Sequence, residues 1–235
     1  MLPVAILAGG FATRLWPLTE NTPKVLIEIQ GKPFIDWQLR LLSRSGIEKV
    51  VFCVAHKAEM IQDFVGNGSR YGIEVSYSED GPTQLGTGGA IRNALVHLGH
   101  RFMVLYGDSY LPIDYKTVET AFFHARKPAL MTVYHNDDAY DTSNVVFSHG
   151  ELQKYSKGDK DPAMTHIDYG LSIFDSSVFE PYPIGSFADL SDICTDLSTS
   201  GSLAGYETNK RFFEIGSHKG IKDFSQYIEG NCDVI

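Results

Sequence analysis

Wholly apolar runs alternate along the chain with segments whose apolar residues recur every three to four positions, and this alternation sets the predicted elements. Residues 4–7, 50–55 and 102–106 are continuous apolar runs, the pattern of strands buried on both faces in a parallel sheet. Between the first two, Ile35, Leu39, Leu41 and Leu42 repeat at helical spacing, with Pro33 at the start and Gly46 at the end. Residues 57–65, 90–98, 114–126, 189–197 and 220–228 also carry helical spacing. Residues 25–29 are β-prone, and 73–77, 129–134 and 166–174 read as further strands. Residues 144–148 and 151–155 read as a hairpin turning at His149-Gly150, and 211–215 as a late strand before a turn. The polar run 135–143 gives no signal. Strands interleaved with helices predict a three-layer α/β/α fold, with an open, mostly parallel, mixed central sheet.

Nothing in the 235 residues marks a second domain: no Pro/Ser-rich linker, internal repeat or low-complexity tract interrupts the pattern. One domain over 1–235 is expected. A net charge of −9 argues against nonspecific nucleic-acid or anionic-membrane partners, so an anionic substrate must be met by local cations. Cys53, Cys194 and Cys232 are odd in number, far apart and without metal-ligand spacing, which suits a reducing cytoplasm. No leader precedes Val4 and no apolar run approaches membrane length, so a cytoplasmic protein is expected.

The first strand ends abruptly at Gly9-Gly10, where main-chain N–H groups are open to a phosphate. Arg14 follows Thr13, and Lys24 follows Pro23, so two restrained cations stand near the glycine turn as a polyphosphate cradle. Two commoner phosphate loops are excluded. Gly9-Gly10-Phe11-Ala12 lacks the spacing of G-x-G-x-x-G, and Gly31-Lys32 runs into Pro33 instead of the Ser or Thr of a Walker A loop.

With Leu7, Ala8, Gly9, Gly10, Thr13, Arg14, Leu15, Pro17, Leu18, Thr19, Pro23 and Lys24 in register, this opening resembles the signature of the sugar-1-phosphate nucleotidylyltransferases. The departure is Ala12, where that family usually has glycine; Ala12 is expected in an ordinary backbone region. The resemblance implies the Rossmann-like nucleotide-diphospho-sugar transferase fold, with a nucleotide half over 1–110 and a sugar-phosphate half over 111–235. It implies nucleotide binding by Leu7, Ala8, Gly9, Gly10, Ala12 and Thr13, with Arg14 and Lys24 catalytic. Residues 84–90 resemble the family's nucleobase loop, which makes Gln84, Gly86 and Thr87 base-reading candidates; Thr87 is also placed to cap the helix that follows.

Asp108 ends the apolar run 102–106 beside the glycine turn, a costly place for a carboxylate unless a cation is near. Mg²⁺ takes one or two such carboxylates and completes its shell with water and phosphate oxygens. Asp108 is therefore the first expected magnesium ligand, and the resemblance implies Glu214, where the family has Asp, as the second. Lys157, Asp168 and Gly170 fall where the family contacts the sugar phosphate; Asp168 stands in place of an asparagine, which points to a different hydroxyl pattern. His166 is read as a strand residue. The implied reaction joins an NTP and a sugar 1-phosphate, and the likeness is nearest to compact guanylyltransferases acting on mannose or mannoheptose 1-phosphate. Gln84 also fits a pyrimidine-NTP relative using UTP, dTTP or CTP. A noncatalytic nucleotide-sugar sensor and a glycosyltransferase of related fold are the other classes; Tyr110 breaks the Asp-x-Asp that a glycosyltransferase carries. The oligomeric state is not legible, a homodimer being one admissible form.

Overall fold

The computed structural model describes residues 1–10, 13–159 and 161–231, the side chain of Thr13 excepted. Nine strands form one mixed sheet: β1 (Val4–Leu7), β2 (Lys49–Val54), β3 (Glu74–Glu79), β4 (Arg101–Tyr106), β5 (Ala129–His135), β6 (Val145–Ser148), β7 (Glu151–Tyr155), β8 (His166–Asp175) and β9 (Leu203–Thr208). The parallel block runs β3-β2-β1-β4. β8 then pairs antiparallel with β4 and with β5, and β9 lies parallel to β5. The hairpin β6-β7 joins at the start of β8, where His166 faces Val145.

Six helices cover the sheet: α1 (Phe34–Arg44), α2 (Ala58–Val65), α3 (Gly86–Leu98), α4 (Tyr115–Ala125), α5 (Leu190–Thr199) and α6 (His218–Gly230). The two-residue period of β1 divides the core between the faces. Val4 and Ile6 pack with Leu39 of α1, Ile61 of α2 and Val118 of α4, whereas Ala5 packs with Ile91 of α3 and Ile193 of α5. All eight side chains are buried, and each large one contributes about 1.5–3 kcal/mol relative to exposure. A third cluster lies under α6, where Phe224 and Ile228 meet Trp37, Tyr110, Phe213 and Ile215.

Four local expectations change. Residues 25–29 are a 3₁₀ turn (Lys24–Leu26) before a two-residue strand (Glu28–Ile29), because Pro23 opens a chain reversal in which Leu26 N donates to Pro23 O at 2.9 Å. The late strand shrinks to Phe213–Glu214, a short ribbon with Ser109–Tyr110. α3 begins at Gly86, four residues early, with Leu85 and not Thr87 at its N-cap. β9 has no counterpart among the predicted strands: Gly205 weakens its pattern, yet the missing side chain is what admits Phe147, whose Cε2 would lie 2.7 Å from a Cβ there. The expectation for the Ala12 backbone lies outside the described residues, as does Cys232.

β8 bends where it meets the predicted sugar side. Its register with β5 jumps from Asp168↔Val133 to Ser172↔Met131, which places extra residues on β8 and disrupts the ladder locally. Gly170 sits in this bulge at φ +100°, a conformation that only glycine adopts without strain.

Candidate active site

Two cavities open side by side at the carboxyl ends of β1 and β4, of about 290 and 320 Å³, and they share Tyr106 and Asp108 as a common wall. The first is lined by Leu7, Ala8, Gly9 and Gly10 after β1, by Lys24, and by Gln84, Gly86 and Thr87 from the loop into α3. Gly10 has open space where a side chain would stand, while Gly9 lies against Ala55, whose Cβ would be 3.2 Å from an added Cβ. Gly107 is required by packing: its N–H donates to Leu7 O at 2.9 Å, and a Cβ would lie 2.9 Å from that oxygen. This close contact sets Asp108 beside the end of β1.

The loop into α3 works differently from its sequence reading. Gly88 and Gly89 admit the backbone of a neighbouring loop, their N–H groups donating to Ala188 O at 2.8 and 3.1 Å. Thr87 accepts from Leu190 N at 2.8 Å and donates to Asp189 Oδ1 at 3.2 Å, so its hydroxyl serves the start of α5. Gln84 Nε2 donates to Gly9 O at 3.2 Å, tying the predicted base loop to the glycine turn. Asp80 also lines this cavity; burial pushes its pKa up, opposed by the Leu85 N–H that it accepts at 3.1 Å. Burial first, and then Asp80, push the Cys53 thiol up to about 12, leaving it an inert apolar part of the lining.

At the shared wall Lys24 Nζ donates to Asp108 Oδ2. Both side chains are about one-fifth exposed, at 19% and 21%, so the pair adds little to stability and its meaning is positional. The ribbon pairs Glu214 with Ser109, and Ile215 N donates to Asp108 O at 3.0 Å, so strands distant in sequence bring the two carboxylates to one place. The Glu214 carboxylate accepts from Gly216 N at 2.5 Å and from the Ser217 hydroxyl at 3.1 Å. A Cβ on Gly216 would lie 2.6 Å from Glu214 Oε2, 3.2 Å from Arg14 Nη2 and 3.4 Å from Asp108 Oδ2. Arg14, Asp108 and Glu214 therefore bracket a single point. Arg14 lines the second cavity and Lys24 the first, so the two predicted cations stand on opposite sides of the wall.

The second cavity contains Lys157, Asp168 and Gly170. Asp168 Oδ1 accepts from Gly170 N at 2.9 Å, and Asp168 N donates to Asn144 Oδ1 at 2.9 Å. Burial raises the Asp168 pKa, opposed by the Gly170 N–H and by the Lys157 charge. Lys157 Nζ lies 5.9 Å from the Tyr106 ring centroid. Burial pushes the Asp189 pKa up, but hydrogen bonds from Ser191 and Thr87 together with the Lys157 charge bring it below its ordinary value.

Sequence reasoning missed Asp80, Tyr140, Asp141, Asn144, Arg211, Lys219 and Asp223, all of which line the two cavities. Tyr140 and Asp141 belong to the polar run without period, and Asn144 follows it at the start of the predicted hairpin. Asn136 Nδ2 folds that run by donating to Asp141 O at 2.7 Å and to the Ser143 hydroxyl at 3.1 Å. The density of Asn, Asp and Ser there was the available signal.

The profile of the family described as Nucleotidyl transferase matches residues 4–230. The chain belongs to that family. As a nucleotidyl transferase it is 40% identical over 111 residues to the N-acetylmuramate alpha-1-phosphate uridylyltransferase of Neisseria meningitidis, covering 47% of this chain and 48% of the relative. It is 35% identical over 141 residues to the D-glycero-alpha-D-manno-heptose 1-phosphate guanylyltransferase of Campylobacter jejuni, covering 60% and 62%. The matches thus span about half to three-fifths of these relatives' lengths. The crystal structure of HddC from Yersinia pseudotuberculosis, complexed with GMP-PN, superposes with a TM-score of 0.81 at 25% identity, covering 97% of this chain and 100% of that one. The fold is the Rossmann-like fold of the NDP-sugar transferases, as expected, and among the described residues no helix is long and apolar enough to cross a membrane.

Proposed function

We propose that this nucleotidyl transferase joins an NTP to a sugar 1-phosphate, giving an NDP-sugar and pyrophosphate. The observation that carries the reading is the shared wall: Lys24 and Asp108 stand in contact between two cavities, with Arg14 and Glu214 gathered beside them. The first cavity takes the nucleotide, through Leu7, Ala8, Gly9, Gly10, Gln84, Gly86 and Thr87. The second takes the sugar phosphate, through Lys157, Asp168 and Gly170. Ala12 belongs to the same proposal but lies outside the described residues, and of Thr13 only the backbone is described.

An oxygen of the sugar phosphate attacks the α-phosphorus of the NTP, the bond to the β-phosphate breaks, and pyrophosphate leaves. The nucleophile is already an anion at neutral pH, so no side chain need remove a proton. Catalysis then rests on bringing two anions together, for which Lys24 and Arg14 supply charge from either side. Asp108 and Glu214 are two hard oxygen donors at one place and would hold Mg²⁺ there. When bound, it supplies neutralisation of phosphate charge.

GTP is the favoured nucleotide. Guanine offers adjacent N1–H and N2–H₂ donors, which the Asp80 carboxylate in the first cavity can accept. HddC with its GMP-PN supports the same choice. UTP is the second reading, favoured by the Gln84 amide and by the uridylyltransferase likeness. The test is a screen of GTP, UTP, dTTP, CTP and ATP against mannose, glucose and mannoheptose 1-phosphates with magnesium, scored by pyrophosphate release. GTP-dependent release confirms the reading; no release from any pair, with no pyrophosphate-driven breakdown of NDP-sugars, overturns it.

A further inference from the structure

The far side of the second cavity holds a group that phosphate transfer does not use. Arg211 lines it with its guanidinium carbon 4.6 Å from the Tyr140 ring centroid and 4.8 Å from that of Phe213. Its Nη2 donates to Asp223 Oδ2 at 2.6 Å, a further restraint on the fork. What remains for a ligand is the N–H edge of a planar cation held by two rings and one carboxylate.

The Arg211 side chain is about one-third exposed, at 37%, so part of its N–H edge is open to the cavity although Nε is buried. The lining around it carries both signs, with Asp141, Asp168 and Asp223 beside Lys157 and Lys219, and Asn144 adds a neutral amide. Donors beside acceptors are what a hydroxyl needs, since it accepts one hydrogen bond and gives another.

We propose that Arg211, held by Asp223, is a specificity-determining residue that reads a hydroxyl on the part of the sugar remote from its phosphate. This rests on the sugar 1-phosphate reading above. A fork with its own carboxylate can take one hydroxyl between its exposed N–H edge and Asp223. Glu214 and Asp108 are left to the phosphate.

The test compares wild type with Arg211→Met, Arg211→Lys and Asp223→Asn, using mannose, mannoheptose and glucose 1-phosphates. KM for the sugar 1-phosphate and KM for the NTP are measured separately, with a melting curve for each protein. Arg211→Met is expected to raise the sugar KM by about tenfold or more while the NTP KM stays within about twofold, and Arg211→Lys to fall between. Asp223→Asn, which keeps the shape, should raise the sugar KM in the same direction if Arg211→Met proves unstable. An unchanged sugar KM in both Arg211→Met and Asp223→Asn, in an active enzyme, overturns the inference. A wild-type protein inert with every sugar 1-phosphate overturns the functional reading itself and this inference with it.

Discussion

Replacing Gly216 by alanine separates the fold from its chemistry. Gly216 lies outside the left-handed region, so the backbone accepts alanine, but the new Cβ would stand 2.6 Å from Glu214 Oε2. That distance is below any real Cβ contact, and the atom in the way is the free end of a flexible side chain. The carboxylate therefore moves aside by something near 1 Å, at small cost to stability. Arg14 Nη2 at 3.2 Å and Asp108 Oδ2 at 3.4 Å leave it no room in their direction, so Glu214 loses its place beside them. A displacement of about 1 Å in a positioning group is enough to cost ~100-fold in rate. The expected outcome is a kcat/KM for pyrophosphate release about 100-fold below wild type, with a melting temperature within about 3 °C. The contrast is Gly220→Ala, where the Cβ would lie 2.1 Å from the backbone oxygen of Glu214 and 2.6 Å from its Oε1, so the main chain must yield along with the same carboxylate, and activity falls together with stability, the latter by about 1–3 kcal/mol. Gly216→Ala with a rate within threefold of wild type would refute the claim that these groups converge for catalysis.

Arg14→Ala should lower turnover by roughly two orders of magnitude or more, read by pyrophosphate release. Thr87→Ala should cost about 1 kcal/mol in denaturant unfolding through loss of the Leu190 N–H contact at the start of α5. Asp168 has a raised pKa in the folded chain, so between its unfolded and folded values the native state holds the extra proton, and stability falls as pH rises through that window. Asp168→Asn removes this slope: its melting temperature should match wild type in acid and exceed it increasingly toward neutral pH, as scanning fluorimetry across pH would show.

The elements were legible wherever burial imposes a short-range rule. β1, β2 and β4 are covered on both faces, so their sequences are uninterrupted apolar runs, and Ala5 facing one layer while Val4 and Ile6 face the other needs no wider context. Gly9, Gly10, Arg14 and Lys24 could be singled out because a glycine turn and its cations lie close in sequence. What stayed hidden depends on partners far along the chain. Gly88 and Gly89 carry no local sign of the neighbouring loop whose Ala188 oxygen takes both of their N–H groups. Thr87 read as a cap for its own helix and instead caps α5, whose start is about a hundred positions away. Arg211 has no local mark at all, since its role comes from Tyr140, Phe213 and Asp223 meeting around it.

The ribbon that joins Ser109–Tyr110 to Phe213–Glu214 also bears on how the protein comes into being. Synthesis must run past Glu214 before that residue can reach Asp108, although Lys24 and β4 are available much earlier. Nascent intermediates would thus hold a half-built nucleotide cleft incapable of turnover, and the onset of activity would time the docking of this ribbon.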